Sequence, residues 1–223
     1  PISDASTGTQ FAYGNGSGYA LVSFFGKLNY NFSDKYLASF TLRRDGSSRF
    51  GSNNRYAMFP AATLGWRISN ESFMSKTNPW LSDLKLRASW GKTGNQAISN
   101  TARYGLYTSD YGQDRGTGTA YDIYLQNSGT FPSGYRQIQA TNNNLKWETA
   151  IQYDLGLDFG LFNGTIYGTY DAYIKDIKDM LISPSYLGSK GEGGASWANG
   201  PSMRNWGMEL SLGYRKTLLD GLG

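Results

Sequence analysis

The 223-residue chain carries a net charge of +4 and contains neither cysteine nor histidine, which excludes disulfides, thiolate chemistry, His-ligated metal sites and a Ser-His-Asp triad. Mean hydropathy is −0.49, and no apolar run approaches the ~18 residues of a membrane helix. A helical membrane protein is thereby excluded, but a β-barrel is not, because its lipid face uses only alternate residues. The basic residues are scattered, so nucleic acid is not indicated as a partner, and the chain, which begins at Pro1, reads like an excised piece of a longer protein.

Residues 1–19 are rich in Gly, Ser and Thr and read as loop. Residues 20–32 alternate with period two, which predicts a strand with Val22, Phe24, Leu28, Tyr30 and Phe32 on one face and Lys27, Asn29 and Asn31 on the other. A turn at Ser33-Asp34-Lys35 returns the chain into a second strand over 36–44, pairing Phe32 with Tyr36, Tyr30 with Ala38 and Leu28 with Phe40. Residues 45–57 form a polar loop. A third strand covers 58–69, with Pro60, Ala62, Leu64, Trp66 and Ile68 on its apolar face, and a helical turn is expected around 71–74. The fourth strand, 84–92, sets Leu84, Leu86, Ala88 and Trp90 against Lys85, Arg87 and Ser89. A long loop rich in Gly, Tyr, Ser, Thr and Asn spans 95–146.

The fifth and sixth strands form the most legible unit, within 147–175. Trp147, Ile151, Tyr153, Leu155, Leu157, Phe159 and Leu161 alternate with Glu148, Gln152, Asp154 and Asp158. Asn163-Gly164 follows, the preferred two-residue hairpin turn because both central residues need positive φ. The implied register sets Leu161 opposite Ile166, Phe159 opposite Gly168, Leu157 opposite Tyr170 and Tyr153 opposite Ile174; Asp158 meets Thr169 and Gln152 meets Lys175. A slip of one residue would put apolar opposite polar throughout. Another long loop covers 176–205, and a seventh strand runs from 206 to 215 with Trp206, Met208, Leu210, Leu212 and Tyr214 on its apolar face.

Strands that alternate for ten residues rise about 23 Å at a tilt near 45°, matching the ~25 Å apolar band of an outer-membrane barrel. Short and long connections alternate, as periplasmic turns and extracellular loops do. Aromatics fall at two heights: Phe32, Tyr36, Trp66 and Tyr214 at the short-turn ends, and Trp90, Trp147 and Trp206 at the long-loop ends. The fold class expected is therefore all-β, an antiparallel up-and-down transmembrane β-barrel segment of about seven long strands. The alternative is a surface-exposed β-sheet binding module, adhesin- or lectin-like, with no transport role. The two differ in whether the apolar face is continuous and girdled or covered by a second sheet.

Seven motifs occur in order: LRRDGSSRFG at 42–51, FPAATLGWRISNESFM at 59–74, LKLRASWGKTGNQ at 84–96, NLKWET at 144–149, LGLDFGLFNG at 155–164, KDML at 178–181 and NWGMELSL at 205–212. Together they resemble the C-terminal half of the barrel of SusC/RagA-type TonB-dependent transporters. The resemblance implies a barrel of about 22 strands closed by an N-terminal plug. It also implies import of glycans or peptides powered by the TonB complex, a SusD-like surface lipoprotein as partner, and residence among outer-membrane lipid of a Bacteroidota-like Gram-negative cell. An odd number of strands does not close a bacterial barrel, so residues 1–223 are expected to be part of the barrel domain, with the plug and remaining strands elsewhere in the parent protein.

No enzymatic activity, cofactor or metal is expected. Glu148 and Asp154 would lie about 20 Å apart along one strand, against the ~5–10 Å that a glycosidase pair needs. The candidate substrate path is the polar face, with Arg43, Arg67, Arg87, Glu148, Gln152, Asp154 and Lys175 among its residues. The bland alternative is a wet wall whose charges pair with one another and with the plug. Arg43, Arg44, Asp45 and Arg49 crowd one loop rim, where fixing the loop by internal ion pairs is preferred over anion binding. Tyr107, Tyr124 and Trp197, with Tyr104, Tyr111, Tyr121 and Tyr135, are candidates for stacking on sugars or on a lipoprotein lid.

Overall fold

A computed structural model describes residues 16–77, 80–108, 136–184 and 196–215. Its strands are β1 (Leu21–Phe32), β2 (Tyr36–Ser47), β3 (Tyr56–Arg67), β4 (Leu81–Asn95), β5 (Leu106–Thr108), β6 (Arg136–Gln139), β7 (Glu148–Leu161), β8 (Ile166–Lys178), β9 (Leu181–Ile182), β10 (Ala198–Asn199) and β11 (Met203–Tyr214). The seven long strands form one antiparallel sheet in the order β1-β2-β3-β4-β7-β8-β11, so each pairs with the next long strand along the chain. Two 3-10 turns, Ile68–Asn70 and Ser72–Met74, fill the connection after β3 where a helical turn is expected.

Tight turns set the register. In the first, Ser33 and Asp34 both take positive φ. Asn31 holds Asp34 from both sides, donating to its carboxylate at 2.6 Å and accepting its amide at 3.1 Å. In the second, Asn163 and Gly164 have φ of 55° and 78°, and the Thr165 amide closes the turn on the Phe162 carbonyl at 3.2 Å. Every pairing read from the sequence for these two hairpins is present, from Phe32 with Tyr36 to Gln152 with Lys175.

Followed across the strands, the register aligns side chains into rows. Leu28, Phe40, Ala62, Trp90, Tyr153, Ile174 and Trp206 make one row on the apolar face, and Phe32, Tyr36, Trp66, Leu86, Leu157, Tyr170 and Leu210 make another nearer the short turns. Just beyond the first row, towards the long loops, the same face becomes polar at Lys92, Asp176 and Arg204. Both rows of the apolar band are rich in aromatics, which suits a membrane wall. Among the described residues no second sheet covers this face: the other pairings are β5 with β6 and β9 with β10. Leu64, Trp66, Leu86, Leu155, Leu210 and Leu212 are exposed there, whereas Leu157 and Phe159, flanked by Leu86, Tyr170 and Gly168, are half-buried by their own neighbours.

Several expectations are corrected, among them the loops over 95–146 and 176–205, which hold β5 and β6 and, in the second, the end of β8, the β9–β10 pair and the start of β11. Residues 45–57 are not all loop, because β2 continues to Ser47 and β3 begins at Tyr56. Trp147 is not an outer girdle residue; it is only 5% exposed. The reason is a divergence of strands. β3 and β4 stop pairing at Ala61 and Gly91, while β4 and β7 stay together as far as Asn95 and Glu148. Loop residues Phe50, Ile98, Ala102 and Leu145 pack there with Phe59 and Trp147 as a dry core. Phe50 and Phe59 lie 4.9 and 5.4 Å from the Trp147 ring, and the indole N–H donates to the Arg55 carbonyl at 3.1 Å.

Candidate functional site on the polar face

The face opposite the apolar band is polar because alternate residues of the same strands point there. Its centre is Arg87 on β4. The Arg87 Nε donates to both carboxylate oxygens of Asp158 at 2.9 Å, and Nη2 donates to Asp171 at 2.9 Å. One guanidinium thus ties β4, β7 and β8 across three strands. Gly156 makes this possible: it lies between Arg87 and Asp171 in the same row. A Cβ there would collide with the Asp171 carboxylate and stand 2.7 Å from Arg87 Cζ.

Beside this cluster is an open cavity of about 600 Å3 over β7, β8 and β11. Gln152, Asp154 and Lys175 line it together with Tyr173, Asn205 and Glu209. A second cavity, about 580 Å3, lies over β1 to β4 and is lined mostly by apolar surface, Leu37 among it, with Ser39, Thr63, Lys85 and Arg87 at its border and Asp154 shared between the two. Amides, hydroxyls, carboxylates and the ammonium groups of Lys85 and Lys175 can exchange hydrogen bonds with a hydrated, many-hydroxyl or peptide-like solute. They provide no nucleophile–base pair, and among the described residues no cluster holds a metal.

The sequence-predicted residues therefore divide. Gln152, Asp154 and Lys175 come together. Arg87 is engaged by two carboxylates. Arg43 pairs with Asp45 at 2.8 Å and lies 5.6 Å over the Phe59 ring. Arg67 stands 3.9 Å from Asp83 near the short-turn rim. Glu148 serves the loops, accepting from Asn95 and from the Leu181 amide, each at 3.0 Å. Tyr107 is exposed on β5, and Trp197 packs against the loop core. Tyr124, like Tyr111, Tyr121 and Tyr135, lies outside the described residues. Tyr173 and Asn205 are additions; strict alternation from Asp171 and Glu209 was the signal for both.

Loop residues bind one another closely. Arg49 donates to Asn100 at 2.8 Å and to the Gln96 carbonyl at 2.9 Å, with its guanidinium 3.9 Å over Tyr19. Asn199 brackets Lys146, accepting its amide and donating to its carbonyl, and Lys146 pairs with Asp179 at 3.0 Å. At the opposite rim, Glu71 accepts from the Tyr36 hydroxyl at 2.7 Å, Lys35 Nζ at 3.0 Å and Trp66 Nε1 at 3.1 Å. The Tyr36, Lys35 and Trp66 hydrogen bonds, in that order of weight, hold the Glu71 carboxyl below the usual carboxylate range.

The chain is similar to the TonB-dependent receptor SusC of Bacteroides thetaiotaomicron, with 40% identity over 94% of this chain and 20% of that protein. The TonB-dependent receptor P3 of Formosa agariphila is 35% identical over 87% of this chain and 18% of its own length. Among solved structures, the RagAB peptide importer in its closed-closed state superposes with a TM-score of 0.75 at 33% identity, over 90% of this chain and 20% of that one. The siderophore receptor PirA of Pseudomonas aeruginosa, 17% identical with a TM-score of 0.53 over 86% of this chain and 30% of that one, shares the fold. The chain thus spans about a fifth of the length of the curated relatives it matches. The family model described as TonB dependent receptor-like, beta-barrel matches residues 1–223, and the chain belongs to that family.

Proposed function

We propose that these residues form part of the wall of an outer-membrane TonB-dependent transporter that imports bulky nutrients such as glycans or peptides. In this reading a SusD-like surface lipoprotein caps the parent protein and the TonB complex drives it. The observation that carries the reading is the two-sided sheet: an apolar face with aromatic-rich rows backs a polar face with an open, hydrogen-bonding cavity over β7, β8 and β11. The wall's task is to hold those groups at fixed heights beside the solute's route. Arg87 is held by two carboxylates, Asp158 and Asp171, so the cluster carries one net negative charge and offers a solute no free cation. Gln152, Asp154 and Lys175 offer exchangeable partners beside it.

The test is uptake by cells with and without the full-length gene, using labelled oligosaccharides and oligopeptides, in TonB-competent and TonB-deficient backgrounds. Loss of uptake of one class on deletion, with the same loss in the TonB-deficient strain, is the expected result. Unchanged uptake of both classes would remove the transport role, and recovery of the parent protein in the soluble fraction would remove the membrane wall itself.

A further inference from the structure

Aromatic rings on the polar face reach across glycines of the neighbouring strand. A Cβ on Gly94 would collide with the Phe59 ring, and one on Gly213 with the Tyr167 ring. One on Gly207 would stand 2.8 Å from the Tyr173 hydroxyl oxygen and 3.0 Å from its Cζ. In each case the missing side chain leaves the ring its room. Phe59 and Tyr167 are also faced by a guanidinium, with Arg43 5.6 Å over the first and Arg215 5.5 Å over the second. Tyr173 has its glycine, but among the described residues no cation stands over its ring. Instead the ring borders the open cavity over β7, β8 and β11.

The charges around that ring favour a cation. Asp154 lies directly opposite Tyr173 on β7, and Glu209 follows Gly207 on the same face of β11. Of the side chains lining the cavity, Asp154, Asp171 and Glu209 are acidic and Lys175 alone is basic. Asp171 is already held by Arg87, whereas Asp154 and Glu209 make no ion pair among the described residues. A ring face between two such carboxylates suits a guanidinium: the π face takes its flat side, and the carboxylates accept from its edge N–H groups. A neutral sugar could stack on the same ring but would gain nothing from the two charges.

We propose that Tyr173, with Asp154 and Glu209, forms a subsite for the guanidinium of an arginine side chain on an oligopeptide passing along the wall. The inference rests on the transport reading above and narrows its solutes to peptides that carry a cation. The test is uptake, by cells carrying the full-length transporter, of two labelled oligopeptides that differ only in arginine or its neutral isostere citrulline. The wild type should take up the arginine peptide about tenfold faster. Tyr173→Leu and Glu209→Gln should each bring that ratio towards one, and Tyr173→Phe, which keeps the π face, should restore it. Tyr167→Leu, at a ring already faced by Arg215, should leave it unchanged. Both peptides are measured in the same cells, so the ratio does not depend on how much of a variant reaches the membrane. Equal uptake of the two peptides by the wild type, or a wild-type ratio in Tyr173→Leu, would overturn the subsite. So would a photo-crosslinker at Tyr173 that captures the parent protein's own plug in the presence of saturating peptide. Uptake confined to oligosaccharides removes the subsite and leaves the transport reading standing; a full-length protein that imports neither class loses both.

Discussion

Gly156 lies beneath the Arg87 guanidinium, between the strands that Arg87 connects. Any side chain there meets Asp171 and Arg87 at less than van der Waals distance, so Gly156→Ala forces the bridge apart. The expected cost is about 1–3 kcal/mol, read by denaturant titration of the full-length protein in lipid. Replacing Arg87 with Met leaves Asp158 and Asp171 facing each other. Because all three groups are partly exposed, solvent screening limits the loss to about 1–2 kcal/mol. Glu71 supplies a pH dependence. Its folded-state pKa lies below the ordinary glutamate value, so the stabilisation it gives the short-turn rim is complete above the ordinary carboxylate range. That stabilisation disappears as pH falls through the lowered pKa. Trp66 fluorescence should therefore report a rim that loosens on acidification below about 4.5 in the wild type. In Glu71→Gln that transition should be absent.

The element that reports most clearly on inside and outside is the β7–β8 hairpin. Leu157 stands on the lipid side and Gln152 on the polar side of one strand. Leu157→Arg should cost roughly 2–4 kcal/mol near the midplane, and Gln152→Arg should be nearly neutral for stability, in parallel refolding into detergent or lipid. Equal losses at the two positions would mean that the inside and outside faces are misassigned. This hairpin was legible in the sequence for a physical reason. Period-two alternation leaves one register in which apolar meets apolar, and Asn163-Gly164 supplies the left-handed turn at its end. What was not legible lacks that redundancy. β5 with β6 and β9 with β10 are short pairs of two to four residues each, and no alternation marks them inside Gly- and Tyr-rich loops. Trp147 was misplaced because strand parity governs orientation only while neighbouring strands stay paired, and the parting of β3 from β4 is a tertiary event. Of the polar-face candidates, Gln152, Asp154 and Lys175 line one cavity and Arg87 sits between Asp158 and Asp171. The division into engaged residues such as Arg43 and Arg87 and open ones such as Asp154 and Lys175 depends on side-chain reach across strands, which spacing alone does not encode.

At the scale of the whole molecule, two stabilising systems meet at the top of β7. The wall is a single sheet whose apolar side chains face outward, so water cannot favour it. The loops carry the dry core, in which Phe50 and Leu145 are 0% exposed. Trp147→Ala removes the ring on which Phe50 and Phe59 pack and the N–H that holds the Arg55 carbonyl. A loss of about 3–5 kcal/mol is expected for a buried tryptophan. Because the core lies beyond the paired part of the wall, that loss should fall on the loops. Hydrogen exchange on the full-length protein in lipid should show protection lost around residues 48–55, 96–104 and 140–146, with β7 and β8 below Tyr153 unchanged. The converse experiment removes the membrane instead. Residues 1–223 expressed alone in water present the Leu64-to-Leu212 face to solvent, and β1 and β11 each present a long unpaired edge. The loop core does not cover that surface, since it sits at one end of the strands. The isolated polypeptide is therefore expected to aggregate in water and to conduct no solute in a bilayer. Size-exclusion chromatography without detergent and single-channel recording are the measurements. A soluble monomer with a cooperative unfolding transition would mean that the outward apolar face is covered by protein, and the wall would have to be redrawn as one half of a sandwich.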